Sequence, residues 1–209
     1  MKLGLRVLMG LVFAAAVALG AASAAHAGDI PYPNVGTQNP TTYTFTATGD
    51  TVTFSWVGSV ADDTDVVGLF QNGTQVGGWV FSNQPNPGAQ PQGATTTFNV
   101  TTGEQYQLAM WNQTTGDIFY SSPLSANPDS ANHVYAVQAA ADAVYTGSPS
   151  GIYVGFEDLT AAQGTDWDYN DSQIIVTGGL SVTPGPTPGA GLAGLALLAL
   201  YGAFRLRRA

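Results

Sequence analysis

Five of the fourteen acidic residues of this chain lie between Glu157 and Asp171: Glu157, Asp158, Asp166, Asp168 and Asp171. They form two groups, Gly155-Phe-Glu-Asp-Leu159 and Asp166-Trp-Asp-Tyr-Asn-Asp171, on either side of a loop from Thr160 to Thr165. In an extended chain alternate side chains share a face. That predicts Asp166, Asp168 and Asn170 on one side, with Trp167, Tyr169 and Asp171 on the other. Oxygen ligands at this density suit Ca2+, a hard cation that takes carboxylate, amide and carbonyl oxygens. The candidate metal ligands are therefore Glu157, Asp158, Asp166, Asp168, Asn170 and Asp171. The spacing opens like an EF-hand loop. Its sixth position, however, is Asp171 rather than Gly and its twelfth is Thr177 rather than Glu, so an EF-hand is rejected.

The same residues admit two other readings. Asp and Asn side chains cap turns by bonding to nearby backbone groups. A carboxylate pair such as Glu157 with Asp168 also resembles the acid and base of a glycosidase, but that chemistry needs a deep cleft and tuned neighbours. Nothing else in the chain suggests them, and no residue is assigned a catalytic role. Charge balance favours the metal. All five Lys and Arg residues sit at the ends (Lys2, Arg6, Arg205, Arg207, Arg208), whereas every acid lies between Asp29 and Asp171. With no basic partner in that span, crowded carboxylates must repel, protonate, spread apart or recruit a cation. The lack of Lys and Arg also excludes nucleic acid as a partner, since phosphates need them. A second acidic run, Asp62, Asp63 and Asp65, reads as a solvated turn.

His133 is the one His in the body of the chain, and without a second His or Cys it reads as a partly buried strand residue. Trp79 and Trp111 fall near strand ends beside polar loops. Core packing is their expected role, with stacking on sugar rings as the alternative. There is no Cys, so a core, a metal or neighbours must hold the fold.

The elements that position these groups read as strands. Short runs rich in Thr, Tyr, Phe and Val alternate in polarity and are separated by turn signals. Thr41–Thr48 and Val52–Trp56 flank Gly49-Asp50 and predict a hairpin. Asn72-Gly73 predicts another, between 65–71 and 74–81. Further strands are predicted at 94–101, 105–112, 117–121, 133–140, 151–157 and 172–177. About ten short strands at this spacing imply a single antiparallel β-sandwich of jelly-roll type. The domain is expected to span 41–179, after an extended lead-in at 28–40.

Both ends read as processing signals. Lys2 and Arg6, an apolar run from Val7 to Leu19 and Ala25-His-Ala27 make a signal-peptide helix over 1–27. Residues 180–188 read as a Pro/Gly linker. The apolar helix of 189–204 is shorter than the ~20 residues of a comfortable span, and Arg residues close the chain. This order resembles the PEP-CTERM sorting tail of Gram-negative bacteria, with Pro184-Gly-Pro-Thr-Pro188 where that family has Pro-Glu-Pro. The resemblance implies transient inner-membrane insertion, an exosortase-type processing enzyme as partner, and a final place at the cell surface or outside the cell.

Residues 151–176 resemble a second family, the bacterial domain of unknown function 4114. The shared pattern is an apolar strand, Phe156-Glu-Asp-Leu159, a short loop, and Asp166-Trp-Asp-Tyr-Asn-Asp171 leading into Ile174-Ile-Val176. This C-terminal resemblance implies an all-β extracellular domain and no established activity. Together these observations lead us to expect an exported, non-enzymatic surface or matrix protein stabilised by Ca2+. The alternative is a carbohydrate-binding module held in extracellular polysaccharide.

Overall fold

The computed structural model describes residues 30–84 and 90–185. Within them the chain is all-β: nine strands form one antiparallel sheet, and the regular helix is limited to a 3-10 turn at Leu124–Ala126. The strands are β1 (Tyr43–Gly58), β2 (Asp65–Gln71), β3 (Thr74–Val80), β4 (Thr95–Asn99), β5 (Gln105–Asn112), β6 (Ile118–Tyr120), β7 (Val134–Ala139), β8 (Gly151–Phe156) and β9 (Ser172–Pro184). Their order is β3-β2-β5-β1-β9-β8-β7, with β4 added on β1 and β6 on β5.

The Asn72-Gly73 hairpin forms as predicted. Both residues have positive φ (50° and 75°), the geometry that a two-residue turn between twisted strands requires. The hairpin predicted at Gly49-Asp50 does not form. β1 runs straight through it, and only the register to β9 shifts between Ala47 and Val52. Local turn chemistry loses here to long-range pairing. β9 lies along the whole of β1 and meets the irregularity with Gly178, at φ 70°, and Gly179. A Cβ on Gly179 would sit 2.3 Å from the Thr51 carbonyl oxygen. The two halves of β1 then serve different neighbours, β5 at Phe45–Thr46 and β4 at Thr51–Ser55. β9 also overturns the predicted linker at 180–188 as far as Pro184, since Leu180 is buried and Tyr43 pairs with Pro184.

One hydrophobic cluster draws on both halves of the sheet: Val67, Leu69, Leu108, Met110 and Phe119 on one side, Ile152, Val154, Ile174 and Val176 on the other. A second cluster, including Tyr153, Ile175 and Val57, covers the opposite face of β8 and β9. These two strands are thus buried on both faces, which explains their unbroken apolar sequence. The segment linking them carries the acidic motif, so the motif grows from the most buried part of the sheet.

Gly155 on β8 lets that segment cross closely. A Cβ there would lie 2.1 Å from the Tyr169 carbonyl oxygen, which is backbone and cannot swing aside. We expect Gly155→Ala to destabilise the domain by about 1–3 kcal/mol, read as a lower urea midpoint with unchanged slope.

On the outer face of the β2–β5 half, Trp79 and Trp111 lie with ring centroids 5.8 Å apart, flanked by Phe70 and Tyr120. Neither Trp belongs to the core clusters, contrary to the expected core role, and both are partly exposed. Gly68 makes room for Trp79, whose ring would be 2.8 Å from a Cβ.

The predicted signal helix (1–27) and the predicted tail helix (189–209) lie outside the described residues. Among those described, no helix is long and apolar enough to cross a membrane.

Candidate metal centre

The segment after β8 is not extended. Trp167 and Tyr169 both have positive φ (54° and 60°), so the predicted alternation of faces fails. The alternate left-handed residues coil the chain and turn the Trp167 and Tyr169 N–H groups to one side, a concavity suited to an anion. The anion is Glu157. Its Oε2 accepts from Trp167 N–H (3.2 Å) and from the Thr165 hydroxyl, and its Oε1 accepts from Tyr169 N–H (2.5 Å). Glu157 is 1% exposed. The loop is fixed further by Tyr169, whose hydroxyl accepts from Asn39 N–H (2.6 Å) and donates to Asn132 O (2.9 Å). Gly36 N–H bonds to Asp166 O and Val60 N–H to Asn170 O, so the lead-in and the β1–β2 loop are both tied to it.

Around this frame the predicted ligands divide. Oxygens of Glu157, Asp166 and Asp168 lie within 4.8 Å of one another and could hold one ion. Asp158 and Asp171 pair elsewhere, with Asp158 N–H donating to Asp171 Oδ2 at 2.9 Å. Asn170 turns its amide to Asp168, donating from Nδ2 to Oδ2, while its own N–H donates to Asp168 Oδ1. Asn170 thus holds the Asp168 carboxylate in place through both of these donors.

The β1–β2 loop completes the site, a contribution the sequence pattern did not reveal. Asp62 and Asp63 line the same cleft, of about 260 Å³, as Glu157, Asp158, Asp166 and Asp171. Asp65, read as part of a solvated turn, is fully buried. Its signal was legible: Asp65 is in phase with Val67 and Leu69, which face the core.

Electrostatics follow from burial without a counter-charge. Burial, with Asp166 and Asp168 nearby, pushes Glu157 up to about 7 despite its hydrogen bonds. Burial, with Asp158 and Asp63, pushes Asp65 up to about 8. Burial also raises Asp158 and Asp171, and each has other carboxylates beside it. His133 does not help. It is fully buried, just ahead of β7, with its ring 4.1 Å from Phe119 and 5.2 Å from Trp167. Burial pushes it down, so near neutral pH it is an uncharged ring holding Asp129 at 3.0 Å. At Asp129 burial pushes upward, but the Ala131 N–H and His133 outweigh it and lower the carboxyl.

No curated protein matches this chain. A family model described as Domain of unknown function (DUF4114) matches residues 61–179. The match is central and takes in both acidic loops, so the resemblance at 151–176 extends well upstream of where the sequence motif lies. Covering more than half of the chain, it shows that the protein belongs to the family described as Domain of unknown function (DUF4114).

Proposed function

We propose that this is an exported, non-enzymatic surface or matrix domain whose sheet, folded over as a jelly-roll-like sandwich, is locked at one end by Ca2+. The observation that carries the reading is the cleft. Six carboxylates line it, in a described region without Lys or Arg. Glu157, Asp166 and Asp168 would hold the ion, and it would neutralise charge that otherwise opposes folding. A non-enzymatic role is supported by Glu157. Both its oxygens are occupied by donors of its own loop, which suits an anchor better than a general acid. Export, transient membrane insertion and cleavage by an exosortase-type enzyme belong to the same proposal and rest on the order of segments at the two ends.

The test is urea unfolding at neutral pH in calcium or chelator. A site with Kd on the order of 10⁻⁴ to 10⁻³ M adds about 0.4–1.4 kcal/mol at 1 mM calcium. Asp168→Asn should abolish the gain. Equal midpoints in calcium and chelator would sink the reading.

The aromatic face supports a second reading, that of a carbohydrate-binding module for extracellular polysaccharide. Trp79 and Trp111 are partly exposed side by side on one face. The double variant Trp79→Ala/Trp111→Ala should weaken retention on the polysaccharide by roughly tenfold or more, on the scale of stacking energies, and leave calcium stabilisation intact. Unchanged retention on affinity gels would remove this reading.

A further inference from the structure

We propose that the outer face of β2, β3 and β5 stacks an uncharged glycan on the Trp79 indole, which Gly68, Gln75 and a glycine bulge hold in place. This rests on the carbohydrate reading above and adds the class of glycan and the residues that position the platform.

Three features of the fold converge on Trp79. The first is an irregularity in β3. Gln75 pairs with Phe70 and Val76 with Leu69, yet the next residue of β2, Gly68, meets Trp79. Gly77 and Gly78 are the extra residues, at φ 71° and 89°, where side chains are rarely tolerated. Bulges re-aim side chains, and this one brings Trp79 opposite Gly68 in place of Gly77. The second feature is Gly68 itself. Any Cβ there would meet the six-membered ring of the indole at 2.8 Å, so the ring rests on bare backbone. The third is Gln75. With its amide oxygen turned to Trp79, it accepts from the backbone N–H and from the indole Nε1–H, at 3.1 Å each. The one polar atom of the ring is satisfied from within the sheet, and the indole is fixed before a ligand arrives. Groups ordered in advance bind without that entropic cost.

The surroundings indicate what the partly exposed indole would take. Phe70 and Trp111 flank it at 5.3 and 5.8 Å, and Tyr120 stands beyond Phe70. Across from Phe70 on β5 is Gln107, whose Oε1 has no hydrogen-bond partner among the described residues. None of the residues that β2, β3 and β5 turn to this face is charged. Rings interleaved with amides match a saccharide, which has an apolar C–H face and a rim of hydroxyls. Charge then selects among saccharides. All fourteen acids lie between Asp29 and Asp171, and that span has no Lys or Arg. A carboxylated or sulfated glycan meets a field of its own sign there and finds no cation. A second copy of this chain meets the same repulsion. An uncharged glycan meets neither obstacle.

Affinity electrophoresis of the full chain tests this. Native gels would contain an uncharged polysaccharide (hydroxyethyl cellulose, galactomannan or dextran) or a carboxylated one (carboxymethyl cellulose or hyaluronan). The expected result is retardation by at least one uncharged polymer and by neither carboxylated one, with Trp emission shifting as the retarding polymer is added. Trp79→Ala should weaken retention by about tenfold. Gln75→Ala, which frees the indole, should weaken it several-fold at an unchanged urea midpoint. Gln75→Glu keeps the acceptor and should restore it. Equal retention by the carboxylated polymers, lost in Trp79→Ala, would overturn the uncharged class and leave the carbohydrate reading standing. Retention unchanged in Gln75→Ala would overturn the positioning role. No retention in any gel would overturn this inference and the carbohydrate reading together, as would a dimer in sedimentation that Trp79→Ala dissociates.

Discussion

Glu157→Ala should lower the stability of this domain by about 3–5 kcal/mol, the scale of several buried polar groups losing their partner. The truncation takes the acceptor from the Tyr169 N–H and the Thr165 hydroxyl and leaves the Trp167 N–H only Thr165 Oγ1, at 3.3 Å, in a largely buried coil. Each orphaned donor costs about 1–3 kcal/mol. Relief of repulsion with Asp166 and Asp168 offsets part of this, so the three losses do not simply add. Two features set Glu157 apart from any other buried residue. Glu157→Gln should be nearly as damaging, because one carboxylate oxygen becomes an NH2 facing donors. The loss should also be larger in calcium than in chelator, since a ligand goes with the anchor. Urea unfolding of the two variants in both conditions checks this. A loss under about 1 kcal/mol would show that the coil does not depend on Glu157.

The second large effect is on pH. Without metal, Glu157 rises from its ordinary 4.5 to about 7, and Asp65 from 3.8 to about 8. Native pKa values above the unfolded ones mean that the folded state binds more protons across that window. Stability is then fully present below about pH 4 and is lost as pH rises towards 8. Asp158 and Asp171 act in the same direction. His133 and Asp129 act oppositely. Their native values are lowered, so their contributions fade as pH falls below 6.5 and 3.8 respectively. By the balance of these windows the metal-free domain should be most stable near pH 4, where the four raised carboxyls are still protonated and Asp129 is still charged. It should lose on the order of several kcal/mol by pH 8, since each tenfold change in a group's proton affinity on folding is worth about 1.4 kcal/mol. Natural domains have only about 5–15 kcal/mol in total, so the stripped protein is expected to be marginal in mild alkali. A scan of chelator-treated protein by circular dichroism reads this directly.

The fold was legible where local pattern and long-range pairing agree. Asn72-Gly73 between alternating runs has one good solution, and the structure adopts it. The unbroken apolar runs of β8 and β9 reflect burial on both faces. Local signals misled where a distant strand overruled them: Gly49-Asp50 looks like a turn until β9 is laid against it, and Leu180–Pro184 looks like a linker until it pairs with Tyr43–Ala47. The site was half legible. The density of acids and the absence of Lys and Arg pointed to the segment in which the carboxylates of Glu157, Asp166 and Asp168 come together. They did not show that Trp167 and Tyr169 take left-handed conformations, because β-branched and aromatic side chains rarely do so and nothing in their spacing announces it. Nor did they show that the loop before β2 folds over the same cleft, since that depends on Asn112 and Asn83 bridging segments far apart in sequence.

The most direct test of the cation account is the difference in melting midpoint between calcium and chelator, measured from pH 5 to pH 8. Calcium binds the deprotonated carboxylates and releases their protons, so the difference should be small at pH 5 and should widen steadily towards pH 8. A difference that is absent throughout, or that stays flat while the chelator-treated protein melts equally well at both ends, would contradict it.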